Sequence, residues 1–357
     1  MKKLLVSAVA VMAVGACVYA ADEKPVELFP VIQGGKWGYM DKAGKVVIAP
    51  KYEGAWDFSE GLASVQVGAL RGYIDEKGTM VIKPEYAMTR PFSEGKAAVV
   101  VGAGKFDKTM DLRGAQWKYI DKTGKILFEK TNNRFAIADE FHGGEARVKF
   151  EFNVHLRSSL INSNGVVRQF VSKPVGRVSE GVVAWPLPKG YGYVDGQGKE
   201  VIPGEYEAAG DFSDGLAKVK KNKKWGFIDK TGKRAFEADF DAAGDFSEGL
   251  ASVQVGGKWG CIDRTGKTVI EAQFDFVAPF SDGLARVVKG GKHGYMDKTG
   301  KIVVEPKFDG AWDFAKGLAR VVVGDKEGYI DKTGKYVWEP KESPYGEPAK
   351  PEEKPVK

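Results

Sequence analysis

From position 250 the chain alternates small or apolar residues with polar ones: Leu250, Ala251, Ser252, Val253, Gln254, Val255. A period of two is the pattern of a half-buried strand. Gly256-Gly257-Lys258 then reads as a tight turn, Trp259-Gly260-Cys261-Ile262 as a second strand, Asp263-Arg264-Thr265-Gly266 as a second turn and Lys267-Thr268-Val269-Ile270 as a third strand. Two short turns joining three strands predict an antiparallel meander. The Asp initiates its turn by bonding backbone two residues on, and the Gly supplies a positive φ.

This pattern recurs. The turn aspartates fall at 41, 75, 121, 195, 229, 263, 297 and 331, with Asn162 in the one gap, so nine copies are present, mostly 34 residues apart. A fixed period of this size predicts a stacked array of small units. Aromatics recur in the connectors between meanders: Tyr52, Tyr86, Tyr206, Phe240, Phe274 and Phe308 in one slot, and Phe58, Phe92, Phe141, Phe212, Phe246, Phe280 and Phe314 in another. Two aromatics per connector are what pins a loop between neighbouring sheets. Trp37 and Tyr39 share one strand face, and Gly38 between them allows another backbone to come close.

The order Trp-Gly, Asp-Lys-Thr-Gly, Pro-x-aromatic, Phe-Ser-Glu-Gly-Leu-Ala resembles the WG-repeat (KWG-repeat) family of bacterial proteins, over nearly the whole chain from Leu28 to Pro340. The resemblance implies an all-β repeat protein used in binding, often at the cell envelope, and brings no shared catalytic residue. The tryptophan slot departs from the pattern at Arg71, Ser158, Tyr191, His293 and Glu327. The expected fold is therefore all-β: a tandem array of about nine three-stranded antiparallel meanders over 21–340. Two closures are open to it, a curved open or superhelical array and a closed propeller-like ring. Ordinary propellers carry four to eight blades, which favours the open form.

The rhythm breaks in the middle, at about 102–172. From Gly95 to Trp117 is 22 residues, against 10 from Gly61 to Arg71, and Asp121 to Asn162 is 41. Insertions in a repeat array collect on one face and often bind. Phe106, Arg113, Arg134 and His142 are the candidate partner-binding residues there. The exposed aromatics Trp56 and Trp312 are candidate glycan-stacking residues in an alternative, lectin-like reading.

The two ends read differently from the array. Lys2 and Lys3, an apolar run from Leu4 to Ala16 and Val18-Tyr19-Ala20 form an export signal over 1–20, cleaved before Ala21. Val14-Gly15-Ala16-Cys17 offers a rival, a lipoprotein signal over 1–16 with Cys17 lipidated. Proline and charge over 341–357 predict a disordered tail. A net charge of +6 with 29% charged residues is too balanced to point to nucleic acid, and membrane contact is expected only through a lipid anchor. Three His and two Cys, without ligand spacing, give no metal or cofactor site. No catalytic motif stands in the chain. The expected protein is an exported, non-catalytic repeat scaffold, periplasmic, secreted or an envelope lipoprotein, that binds a protein or envelope partner.

Overall fold

The computed structural model describes residues 27–101, 116–128, 135–152, 155–169 and 171–341. Cys17, Phe106, Arg113 and Arg134 lie outside these residues, as do the signal and the tail from 342. Among the described residues every regular element is a strand.

The second repeat shows how the sequence builds a unit. A short strand β4 (Gly54–Ala55) pairs with β5 (Leu62–Val67), which pairs with β6 (Leu70–Asp75), which pairs with β7 (Met80–Tyr86), all antiparallel. The meander is β5 to β7. The connector adds β4 as a fourth strand, so it is more than a loop. The β6–β7 turn forms because Asp75 Oδ1 accepts from the N–H groups of Lys77 (3.0 Å) and Thr79 (2.8 Å), and Gly78 takes φ 80°. Between Tyr73 and Arg71 the register jumps from Ile82 to Tyr86, so β7 bulges at Pro84. That bulge lies directly on Gly72, whose absent side chain leaves room for the Ile82 carbonyl and the Pro84 nitrogen. The Trp-Gly and Pro-x-aromatic signatures are thus two halves of one contact.

Units join face to face, and each core cluster draws on two neighbouring sheets. Tyr39, Ile48 and Tyr52 of the first unit pack with Phe58, Val65 and Ile74 of the second. The phenol of Tyr73 donates to the carbonyl of Arg90 in the next unit at 2.7 Å, and its ring meets Phe92 edge-on at 4.9 Å. Tyr39, Tyr119, Tyr193 and Tyr295 repeat this bond and ring contact. The Ser-Glu-Gly element also reaches forward. Ser59 Oγ donates to Phe92 O at 2.7 Å, Glu60 accepts from the Gly95 N–H at 3.0 Å, and Lys122 Nζ sits 3.2 Å from Glu60. The acids and turn lysines alternate in pairs along this rim, as in Lys230–Glu180 and Lys298–Glu248.

The array closes into a ring. Unit 1 comprises β1 (Leu28–Gln33), β2 (Lys36–Asp41) and β3 (Val46–Tyr52). The Tyr329 phenol of the last unit donates to Pro30 O at 3.0 Å, and Phe29 meets the Tyr329 ring at 5.9 Å. Phe29, Val31 and Met40 share a buried cluster with Leu318 and Tyr329. Gly44 abuts Val337 as Gly78 abuts Ile48 in the preceding unit. These contacts decide between the two closures left open by the sequence. Among the described residues the ring holds nine units: 28–52, 54–86, 87–127, 135–171, 175–206, 207–240, 241–274, 275–308 and 309–338, the third and fourth sharing one sheet.

Candidate functional site

Units 3 and 4 depart furthest from the template. Their sheet has six strands, and the two halves touch through a single pair, Phe135 opposite Trp117. The strands Phe135–His142, Glu145–Phe152 and His155–Asn162 each run eight residues where the regular meander strands run six or seven. Phe135, Phe141, Phe150 and Tyr119 fill the core between them.

The forward bonds change here. Unit 4 receives them normally: Ser93 Oγ donates to Phe141 O at 2.6 Å and Glu94 accepts from the Gly144 N–H at 2.9 Å. It does not send the same pair on, because His142 stands in the serine slot and Gly143 in the acid slot. His142 lies half-buried with Nε2 3.9 Å from Glu140 and no hydrogen bond on that nitrogen. Arg168 makes the join instead. Its guanidinium forks onto Glu145 at 2.8 and 2.7 Å and donates to the carbonyls of Asp195 (3.0 Å) and Gly196 (2.8 Å) in unit 5. A bidentate pair of this kind is the geometry that only arginine supplies. The slot of Arg168 holds an aliphatic residue in every other unit (Val47, Val81, Leu127, Val201, Ala235, Val269, Val303 and Val337), so an arginine there is a signal that the sequence reading passed over.

Charged groups converge along the inner strands of the same sector. Arg147 binds Asp139 through Nε at 2.9 Å and Nη2 at 2.8 Å, and Arg90 lies 3.8 Å from the other oxygen of Asp139. Arg90 also stands 5.5 Å from the Trp117 ring and leaves its buried Nε without a partner. Further round, burial pushes the Asp211 carboxyl up, and neighbouring Asp245 adds to this against the Arg177 N–H and the charge of Arg147. The Arg177 N–H donates to Asp211 Oδ1 at 2.9 Å, which ties the inner segment of unit 5 to that of unit 6. An unpartnered guanidinium nitrogen and a carboxyl held up by burial mark this sector as polar and unsaturated.

The other predicted candidates fall elsewhere. Trp56 and Trp312 are 36% and 43% exposed. Each indole carries a guanidinium on one face: Arg71 at 4.1 Å and Arg320 at 3.8 Å. The ring brings them to either side of unit 1, where a cavity of about 210 Å³ is lined by Phe29, Asp57, Phe58, Trp312, Arg320 and Tyr329 among others. A second cavity, about 260 Å³, opens in unit 6 beside Lys221, Lys224 and Arg234. There the outer strand is reduced to bridges at Arg234 and Phe240, and Arg234 donates to the carbonyls of Phe236 and Ala238. Cys261 is buried in a tyrosine slot, and burial pushes its thiol up to about 12.

A closed ring of small antiparallel sheets, each bonded forward to the next, defines a propeller-like β-repeat protein. The chain belongs to the WG containing repeat family, whose model matches residues 37–70, 72–106, 191–225, 225–259, 259–292 and 294–326. The unmatched stretch between these blocks is the irregular sector. No curated protein sequence matches the chain. Among solved structures it is similar to the β-propeller domain of the Trilobed protease from Pyrococcus furiosus (13% identity, 89% of this chain and 99% of that one, TM-score 0.40). It is also similar to the uncharacterized protein lmo1340 from Listeria monocytogenes EGD-e (13% identity, 79% and 91%, TM-score 0.41). A further similarity is to the extracellular domain of BT3049 from B. thetaiotaomicron (10% identity, TM-score 0.29), where 85% of this chain spans 54% of that one.

Proposed function

We propose that this protein is an exported, non-catalytic ring scaffold that binds a protein or cell-envelope partner through its irregular sector. One observation carries the reading. In the regular units the recurring Ser, Glu and Tyr side chains are spent on holding the next unit, as Ser59, Glu60 and Tyr73 show. In unit 4 the outgoing serine and acid are replaced by His142 and Gly143, and unengaged polarity appears beside them at His142 Nε2 and Arg90 Nε. A unique surface suits one partner, whereas a site on the regular units would recur round the ring. The charged n-region and apolar run at the N-terminus support export, with Ala21 or lipidated Cys17 as the mature start. Phe106, Arg113 and Arg134 belong to the same sector by sequence.

The test is a pull-down from envelope extract with the mature protein and a variant in which 102–116 is shortened to Gly-Gly-Lys. Loss of the partner set from a variant that stays folded is the expected result. Retention of the full set sinks the reading. The glycan alternative draws support from Trp312, which lines the cavity beside unit 1 and keeps one ring face clear of Arg320. Under that reading, W56A and W312A abolish retention on glycan columns while the loop variant does not.

A further inference from the structure

Unit 6 departs from the template on its outer side, and both it and its two neighbours are described throughout. In the regular units the outer strand pairs with the middle one through an aliphatic residue, as Ile48 with Tyr39 and Ile270 with Cys261. Phe236 holds that slot in unit 6, with its ring 5.6 Å from that of Phe227. A ring needs more room there than isoleucine, so the strand stands off and returns only at Arg234 and Phe240. Phe227 O still accepts from the Ala235 N–H at 2.9 Å, and Trp225 exchanges two bonds with Phe240. Residues 225 and 227 therefore turn their backbone groups outward. The Phe227 N–H has lost its acceptor. Phe236 O, which the register assigns to it, takes a bond from Arg234 Nε at 3.0 Å instead. No bond from that N–H is found among the described residues. In units 5 and 7 the outer-strand backbone lies directly on Gly192 and Gly260. Gly226 has the Arg234 guanidinium over it, with Nη2 3.6 Å from where a Cβ would stand. That guanidinium is engaged on one side only. Nε and Nη2 serve Phe236 O, Ala238 O (3.2 Å) and Asp239 (2.6 Å), and Nη1 makes no bond among the described residues.

We infer that the cavity of about 260 Å³ at this place is a binding site for a small organic monocarboxylate. Arg234 and Phe227 both line it. The guanidinium lies over Gly226, and the free amide is that of the next residue, so the two donors are neighbours. A guanidinium nitrogen with hydrogens to spare beside an orphaned backbone N–H is a donor pair that a carboxylate can accept from. Occupancy supplies the bond that the displaced strand withdrew. The wall sets Lys221, Lys224 and Arg234 against Glu205 and Asp239, three cations to two carboxylates, which leaves one positive charge. Lys221 pairs with Glu205 at 3.0 Å and Arg234 with Asp239, while Asp241 reaches Lys224 from outside the wall. That balance admits one negative charge and opposes a phosphate dianion. The floor is apolar: Tyr206, Val219, Phe227 and Ile228 are all buried. It suits a ring or short chain carried behind the carboxylate. The space is smaller than a drug-sized pocket and excludes a peptide or glycan chain. The site lies apart from the irregular sector, and neither reading depends on the other.

The experiment titrates benzoate, and benzamide as its uncharged counterpart, into the isotope-labelled mature protein and follows the Phe227 amide by nuclear magnetic resonance. Concentrations run through the millimolar range, the scale for so small a ligand. Benzoate is expected to shift that amide and slow its hydrogen exchange about tenfold or more, the scale of one gained bond, while benzamide changes neither. R234K keeps the charge and loses the planar fork, and is expected to weaken benzoate binding by about tenfold or more. R234T/F236I gives unit 6 the residues that unit 7 has at Thr268 and Ile270. It is expected to bring the outer strand back onto Gly226, protect the Phe227 amide without ligand and abolish the benzoate response. Equal responses to benzoate and benzamide, or none to either, overturn the inference. A benzoate response that sodium chloride reproduces at the same ionic strength overturns it too, as does one that R234T/F236I keeps in full.

Discussion

The contact between Trp-Gly and the proline bulge makes a comparison available inside one molecule. In unit 7 a Cβ on Gly260 would strike the Ile270 carbonyl and stand 2.8 Å from the Ala272 nitrogen and the Glu271 carbonyl carbon. Those atoms are backbone, so relief requires the outer strand to lift. In unit 6 the outer strand is already displaced, and the same Cβ on Gly226 meets nothing nearer than Asp239 Oδ1 at 3.5 Å. Neither glycine has a positive φ. Gly260→Ala should cost about 2–3 kcal/mol, from overpacking plus weakened strand bonds. Gly226→Ala should be neutral or stabilising by about 0.5 kcal/mol, because alanine restricts only the unfolded chain. Denaturant titration of both variants, followed by intrinsic fluorescence and circular dichroism together, reads the difference. Midpoints that fall equally, or a Gly260→Ala midpoint that does not move, would refute the idea that this glycine is kept for the bulge.

Three further outcomes follow from contacts described above. Gly266→Val should destabilise by about 1–3 kcal/mol, since the position has φ 84° and its Cβ would meet the Phe236 ring at 2.5 Å; an unchanged midpoint would show the turn to be misassigned. The carboxyls of Glu60, Glu180 and Glu248 would be raised by burial, but the next unit's glycine N–H and lysine outweigh it and hold them below 4.5. Their depressed values mean that the stability they add is complete above about pH 4.5 and is lost as the pH falls through the folded values, so E60Q should flatten the acid limb of a stability profile. Cys261 should resist thiol reagents in the native protein and react only on unfolding, because it is buried and its thiol is pushed up to about 12; stoichiometric labelling without denaturant would contradict the burial.

Local chemistry was readable in advance where one residue does one job. The turn aspartates and glycines, the paired connector aromatics and the break after Gly95 could all be placed from the sequence. The fourth strand was not, because Gly54–Ala55 is only two residues long and the longer counterparts Ala242–Ser247 and Phe276–Ser281 are each broken by a register shift, which spoils any period of two. Closure was not readable either. It rests on Phe29, Pro30, Tyr329 and Val337, which come from opposite ends and have no pattern linking them. Trp56 and Trp312 were picked for exposure alone, and only the ring reveals that they flank the same unit. Arg168 joins units 4 and 5 through an ion pair whose members lie 23 residues apart, a spacing unrelated to the repeat.

The forward bonds also set how the ring can fail. Each unit offers one face and accepts a different one, a head-to-tail association that ends only if the rotation closes. At the seam this association lacks its usual acid: Lys316 stands in that slot, and Lys42, whose counterparts pair with the preceding unit's acid, turns to Glu27 at 3.8 Å instead. In a linear repeat protein such a weak joint would fray at one end. Here it converts an intramolecular contact at high effective concentration into two complementary sticky ends whenever it opens. An opened molecule can then accept a neighbour's first unit against its own last, so crowding should convert the ring into chains of opened rings through this one joint.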